Sequence, residues 1–126
     1  GFPRVTGVEV SSGAISSAIS AARHAGLSRS RATFIADDAT SWARAQSPED
    51  VPDVIVVNPP RRGIGAGLAA FLNECDAPRV IYSSCNPASL AKDLAAMPTL
   101  RPIEGRLFDM FPHTTHAEVA LLLERA

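Results

Sequence analysis

The sequence is poor in cysteine and metal-ligand clusters and has no excess of charge of either sign, and each shortage excludes a class of protein. Its two cysteines, Cys75 and Cys85, do not make a disulfide framework and fit a reducing cytosol. Twelve basic and thirteen acidic residues give a net charge of -1, so composition alone gives no sign of a nucleic-acid-binding surface. Since no group of Cys and His has metal-ligand spacing, we predict no metal site.

Long apolar runs are also missing. None approaches the roughly 20 residues that span a bilayer, so we expect no membrane segment. The opening Gly1-Phe2-Pro3-Arg4 has no apolar stretch of the signal-peptide kind, and a start at glycine just before a strand indicates a piece of a longer protein. At 126 residues and 46% hydrophobic, the chain is predicted to be a single domain, complete or partial, spanning residues 1–126.

Short apolar runs alternate with amphipathic helical patterns along most of the chain. This alternation indicates a parallel sheet with right-handed crossovers. The end differs, because the two strands predicted at 103–108 and 117–123 have no helix between them, which predicts one antiparallel strand. The sequence thus predicts an α/β, Rossmann-like sheet. The earlier strands are predicted at 5–10, 32–36, 54–57 and 80–82, and the helical patterns cover 12–26, 39–46, 64–75 and 90–97.

Cys85 lies between an apolar run and a helical pattern. Asn86 is a good N-cap and Pro87 suits the first helical position, so the helix should begin within two residues of the thiol. The carboxyl end of a parallel strand is where open α/β sheets bind ligands, and the positive end of a helix dipole favours thiolate. Cys85 is therefore a candidate nucleophile, whereas Cys75, on an apolar stripe, is expected to be a small buried hydrophobe.

Acidic residues follow the first two predicted strands. Glu9, near the end of the first, either accepts hydrogen bonds from ribose hydroxyls or is an exposed carboxylate before a helix. Asp37 and Asp38 follow the second strand, where one could meet the adenine of a cofactor. Asp38 could also cap the helix that begins at Ala39, or do both. The glycine-rich turn that should precede Glu9 by about 20 positions would lie before the first residue of this chain.

The segment Asn58-Pro59-Pro60-Arg61-Arg62-Gly63 follows the third strand. Its two prolines lack N–H groups, so they stiffen the loop and expose carbonyls and the Asn58 side chain. Arg61 and Arg62 could hold a phosphate or could simply be solvated.

The segment 109–118 links the last two strands and contains His113 and His116. Glu118, at the start of a strand and flanked by apolar residues, could be a partly buried general base. The two histidines lack further metal ligands, and a turn with histidines facing solvent remains an alternative.

Three ordered motifs resemble the RNA (uracil-5-)-methyltransferase family, whose members use S-adenosylmethionine to make 5-methyluridine in ribosomal or transfer RNA. The asparagine at the first motif and the doubled arginine are most similar to the branch that modifies 23S ribosomal RNA, because other members more often carry aspartate there. The motifs are Asn58-Pro59-Pro60-Arg61, then Ser84-Cys85-Asn86-Pro87 with Lys92-Asp93, then Asp109 to Thr114 with His116 and Glu118.

The resemblance implies a role for each candidate residue. Cys85 would add to C6 of uracil, and Glu118 would remove the C5 proton after methyl transfer. Asn58 would lie between the cofactor and the target base. Glu9 would bind the ribose of S-adenosylmethionine and Asp38 would lie near its adenine. The target base should be flipped out of its RNA context to reach the pocket.

The family also carries parts that this chain lacks. Its strand order is 3-2-1-4-5-7-6, and the first strand, the glycine-rich cofactor loop and an N-terminal RNA-binding domain have no counterpart here. The sheet should therefore have a gap at its centre. We expect the chain alone to bind cofactor poorly, to bind RNA weakly and not to turn over. The intact protein is expected to act in the cytoplasm, on ribosomal RNA rather than transfer RNA.

Two other functions remain open at this point. A non-catalytic α/β module that binds RNA or protein would tolerate Cys85→Ser without loss of its activity. A DNA amino-methyltransferase also uses Asn-Pro-Pro, followed by an aromatic residue, but Arg61 stands at that position and such enzymes need no cysteine nucleophile.

Overall fold

A computed structural model describes residues 5–9, 12–26, 32–47, 51–59, 62–108 and 118–125. Strands and helices alternate along this part of the chain until the last two strands, which are consecutive, so the predicted α/β class is confirmed. The chain divides into two compact units, Gly1–Ala45 and Gln46–Ala126. The elements are β1 (Val5–Glu9), α1 (Ser12–His24), β2 (Ala32–Ala36), α2 (Ala39–Arg44), β3 (Val54–Val57), α3 (Ala66–Glu74), β4 (Arg79–Ser84), α4 (Pro87–Ala95), β5 (Leu100–Phe108) and β6 (Glu118–Arg125).

The first unit is a β-α-β arrangement followed by a short helix. β1 and β2 pair in parallel, from Val5 opposite Ala32 to Glu9 opposite Ala36. Helix α1 contacts both strands, and Ile15 is its buried residue. Because parallel strands end at the same edge of a sheet, Glu9 and the residues that follow Ala36 share one edge.

The second unit contains a four-stranded sheet in the order β3-β4-β6-β5. β3 pairs with β4 in parallel, whereas β6 runs antiparallel to both of its neighbours. This arrangement confirms the single antiparallel strand expected from the end of the sequence. β5 begins at Leu100 rather than near residue 103, and its ladder with β6 has a register shift between Pro102 and Glu104.

The main core lies in the second unit, between one face of the sheet and the helices beside it. Val80 and Tyr82 alternate with partly exposed residues along β4, as the two-residue period of a strand requires. Full burial of a leucine or valine side chain stabilises the fold by roughly 1.5–3 kcal/mol. The buried cluster consists of Ala69, Leu72, Val80, Tyr82, Leu90, Met97, Leu100 and Leu123.

The strand pairings reproduce both halves of the order that the family resemblance implied. In the numbering of that order, β1 and β2 correspond to strands 2 and 3, and β3 to β6 correspond to strands 4 to 7. The two observed sheets then have the orders 3-2 and 4-5-7-6. Among the described residues, neither sheet has a strand that corresponds to strand 1 of that order. The described strands therefore form one two-stranded sheet and one four-stranded sheet.

Candidate active site

The turn that carries Cys85 is fixed by hydrogen bonds on both sides of the thiol. The Ser84 hydroxyl, at the end of β4, accepts from the Asn86 N–H at 3.1 Å and donates to the Asn86 carbonyl at 3.0 Å. Asn86 caps α4, because its side-chain oxygen accepts from the Ala88 N–H at 3.2 Å, and Pro87 opens the helix. The predicted cap and helix start are confirmed. Cys85 is half-buried and is not in a disulfide.

Glu118 lies at the same end of the β4/β6 pair as Cys85. The last paired residues there are Ser84 and Val119. Cys85 directly follows Ser84 along β4, and Glu118 directly precedes Val119 along β6, so the antiparallel register brings the two to one edge. Glu118 is half-buried, and its Oε1 accepts a hydrogen bond from the Ser83 hydroxyl at 2.7 Å. A thiol and a carboxylate at one sheet edge can serve as nucleophile and proton acceptor.

Asn58 lies at this edge as well. β3 and β4 run parallel with Val57 opposite Tyr82, and Asn58 is the next residue after Val57. The Asn58 side chain is exposed. Of the two arginines that follow, Arg62 is exposed and Arg61 lies outside the described residues.

Asp93, which the sequence analysis named only as part of the second motif and without a role, ties the loop after Asn58 to α4. Asp93 is 5% exposed, and its Oδ2 accepts hydrogen bonds from the Tyr82 hydroxyl and, at 2.9 Å, from the Ile64 N–H. Burial, together with the bond to Asp93, raises the pKa of the Tyr82 hydroxyl far above its usual value of 10.0. Asp93 lies three residues after buried Leu90, at helical spacing, and a carboxylate on an apolar stripe is the signal that could have revealed it.

The same loop approaches Asp93 so closely that it requires glycine. Gly63 has a φ of +94°, and a Cβ at this position would lie 2.6 Å from Asp93 Oδ2. Only glycine combines this backbone conformation with so little bulk. The Asp93 carboxylate thus holds the loop 62–64 against the helix that begins just after Cys85.

Three acidic residues of the first unit lie at one edge of the β1/β2 pair. Glu9 is the last residue of β1, opposite Ala36, and Asp37 and Asp38 follow Ala36. Asp38 caps α2, since its Oδ2 accepts from the Ser41 N–H and from the Ser41 hydroxyl, both at 2.9 Å. These bonds lower the pKa of the Asp38 carboxyl below 3.8. The helix-cap alternative is confirmed for Asp38, which is exposed and remains accessible to a ligand.

The remaining predictions concern metal ions, membranes and the histidine segment. Within the described ranges, no three His, Cys, Asp or Glu side chains are grouped so that they could hold a metal ion. None of the helices that the structure describes is both long and apolar enough to cross a membrane. The segment 109–117, with His113 and His116, lies outside the described residues.

Comparison with known proteins points to one family. Residues 50–126 match the family model for tRNA (Uracil-5-)-methyltransferase. The 23S rRNA (uracil(747)-C(5))-methyltransferase RlmC of Halothiobacillus neapolitanus is 48% identical over 123 residues, which is 97% of this chain and 32% of that protein. The corresponding protein of Pectobacterium atrosepticum is 45% identical, over 98% of this chain and 32% of its own length. The chain therefore spans about a third of the length of these curated relatives.

A solved structure agrees in fold. The tRNA (uracil-54, C5)-methyltransferase of Pyrococcus abyssi, in complex with S-adenosyl-L-homocysteine, superimposes with a TM-score of 0.80 and 31% sequence identity. The match covers 95% of this chain and 28% of that one. The family model covers more than half of the chain, including the edge that carries Asn58, Cys85 and Glu118. This chain belongs to the tRNA (uracil-5-)-methyltransferase family.

Proposed function

We propose that the protein containing this chain transfers a methyl group from S-adenosylmethionine to C5 of a uridine in 23S ribosomal RNA. The observation that carries the proposal is the meeting of Cys85 and Glu118 at one end of the β4/β6 pair, with Asn58 at the same sheet edge. The 48% identity to a 23S ribosomal RNA methyltransferase supports this RNA rather than transfer RNA as the substrate. A ribosomal RNA substrate would place the protein in the cytoplasm.

The chemistry of uracil explains why these two side chains are needed. C5 of uracil is a weak nucleophile, and addition of the Cys85 thiolate to C6 makes C5 enolate-like. S-adenosylmethionine, when bound, supplies the methyl group that C5 then accepts. Glu118 takes the C5 proton, the C–H electrons form the C5–C6 double bond, and the bond between C6 and Sγ breaks to release the thiolate.

The first unit has side chains suited to the cofactor. Glu9 and Asp38 lie at one edge of β1/β2, and carboxylates accept hydrogen bonds from ribose hydroxyls and from the adenine amine. Asp38 is exposed, so the bonds to Ser41 orient its carboxylate without closing it to a ligand. We assign Glu9 to the ribose, Asp38 to the adenine side and Asn58 to the space between cofactor and target base.

RNA binding is assigned to sequence outside this chain. The curated relatives are about three times as long, and a formal net charge of -1 gives this chain no overall excess of positive charge for RNA. An N-terminal RNA-binding domain would supply that surface in the intact protein. The chain alone is then expected to be inactive.

The test is covalent trapping with an RNA that carries 5-fluorouridine at the target position, in the presence of S-adenosylmethionine. Because fluorine replaces the C5 proton, Glu118 has no proton to remove and the adduct should persist. The longest form of the protein that its gene encodes should give an RNA–protein adduct that resists denaturation. Cys85→Ser should abolish the adduct, and Cys75→Ser is the matched control that should retain it.

Two results would contradict the proposal. An adduct that persists in Cys85→Ser would assign the nucleophile to another residue. No adduct in the unaltered protein, despite measured binding of both substrates, would favour a non-catalytic RNA-binding module.

A further inference from the structure

Ser83 contacts Glu118 directly and has no role in the mechanism above. Its hydroxyl donates to Glu118 Oε1 at 2.7 Å, and both side chains are half-buried. Ser83 is paired with Ala120 across the two strands, so Glu118 is its diagonal neighbour, two residues earlier on β6. Ser83 also lies two residues before Cys85, on the strand that leads to the thiol.

We propose that Ser83 is a positioning residue for proton removal by Glu118, an inference that rests on the proposed function. A glutamate side chain has several rotatable bonds, and Glu118 is the first residue of its strand. A serine hydroxyl has a single proton to donate, and here that proton is committed to Oε1. The bond fixes the orientation of the carboxylate, so that its remaining lone pairs meet the C5 proton within hydrogen-bond distance.

A purely structural role for the bond explains the geometry less well. The ladder between β4 and β6 already pairs six residues of each strand, from Arg79 opposite Glu124 to Ser84 opposite Val119. One further side-chain bond at the end of this ladder adds little to holding the strands together. It is the orientation of the Glu118 carboxylate that would change most if the Ser83 hydroxyl were removed.

The reaction sequence separates this role from a general effect on the fold. Addition of the Cys85 thiolate to C6 and transfer of the methyl group both precede removal of the C5 proton. Loss of the Ser83 hydroxyl should therefore leave adduct formation unchanged and slow only the last step, in which the proton moves to Glu118 and the thiolate departs. The methylated covalent adduct should accumulate as a result.

The experiment follows both steps in single turnovers, with RNA tritiated at C5 of the target uridine. It uses the longest form of the protein that its gene encodes. Adduct is measured on denaturing gels, and loss of the C5 proton is measured as tritium released to water. In Ser83→Ala we expect adduct to form at the unaltered rate and tritium release to fall about tenfold, as expected for loss of a charge-assisted hydrogen bond.

Two further variants make the result specific to positioning. Ser83→Thr keeps the hydroxyl and should restore tritium release to within about threefold, since threonine suits a strand. Glu118→Gln should block tritium release more severely, and adding Ser83→Ala to it should cause no further loss. Effects of residues that act as a unit are not additive.

The outcomes separate this inference from the proposed function. Equal losses of adduct formation and tritium release in Ser83→Ala, or no loss of either, would overturn the positioning role while leaving the methyl-transfer proposal intact. Absence of an adduct in the unaltered protein would overturn the proposed function, and the inference with it.

Discussion

Replacement of Gly63 by alanine should destabilise the second unit by more than the backbone conformation alone explains. Gly63 and Gly65 both have positive φ angles, of +94° and +84°. A Cβ at Gly63 would lie 2.6 Å from Oδ2 and 3.0 Å from Oδ1 of Asp93, whereas a Cβ at Gly65 would meet nothing within 4 Å. Gly65→Ala is therefore a matched control that has the backbone strain without the clash.

The magnitudes follow from these distances. With a φ of +84° and a ψ of 159°, Gly65 lies in a backbone region that is essentially restricted to glycine, where another residue costs about 1–3 kcal/mol, and this is the full cost expected for Gly65→Ala. Gly63→Ala should cost about 1–3 kcal/mol more, because the buried Asp93 carboxylate must shift and weaken its bonds to Tyr82 and Ile64. In an Asp93→Ala background the extra cost should disappear, because the clashing oxygens are gone.

Native-state hydrogen exchange of the β4 amides measures the free energy of unfolding in the second unit, apart from the first. Equal losses of stability in Gly63→Ala and Gly65→Ala would refute the close contact with Asp93. So would an extra cost at Gly63 that survives in the Asp93→Ala background.

Two further predictions concern side chains of the second unit. Arg125 donates to the Leu72, Asn73 and Ala77 carbonyls at 2.7–3.0 Å. Arg125→Lys should lower the free energy of unfolding in urea by about 1.5–3 kcal/mol, because an ammonium cannot reach all three carbonyls. Arg106→Lys, which changes an exposed ion pair with Glu104, is the control and should lower it by less than about 0.5 kcal/mol. Equal losses in the two variants would contradict this role of Arg125. Burial raises the pKa of Tyr82, so the contribution of this tyrosine to stability is complete below pH 10.0 and is lost as the pH rises above that value. Tyr82 is the single tyrosine of the chain, and its tyrosinate absorbance should stay low just above pH 10 while the protein is folded. An ordinary titration near pH 10 would refute its burial.

The sequence predicted the elements whose signals are local. Val54–Val57 was recognisable as a strand because it is apolar throughout, and the start of α4 was recognisable because Asn86 and Pro87 are side by side. The start of β5 was predicted too late. Pro102 is compatible with a strand there because β5 is at the edge of its sheet and, among the described strands, pairs only with β6.

The contacts at the candidate site could be predicted only in part. The family motifs identified Cys85 and Glu118 as a pair, although their sequence separation alone gives no reason for them to meet. The bonds of Asp93 to Ile64, and of Ser83 to Glu118, join residues 29 and 35 positions apart. Such pairings depend on strand order and register, which no local pattern of residues specifies.

The position of β6 has a consequence for synthesis of the protein on the ribosome. β5 leaves the ribosome before β6, its only partner among the described strands, so it must wait for β6 before it can join the sheet. During that interval the apolar side chains of Ile103 and Leu107 belong to an unpaired segment that nascent-chain chaperones could bind. Glu118 reaches Ser83 only when β6 inserts between β4 and β5, so the proposed catalytic edge is completed only after β6 has been synthesised.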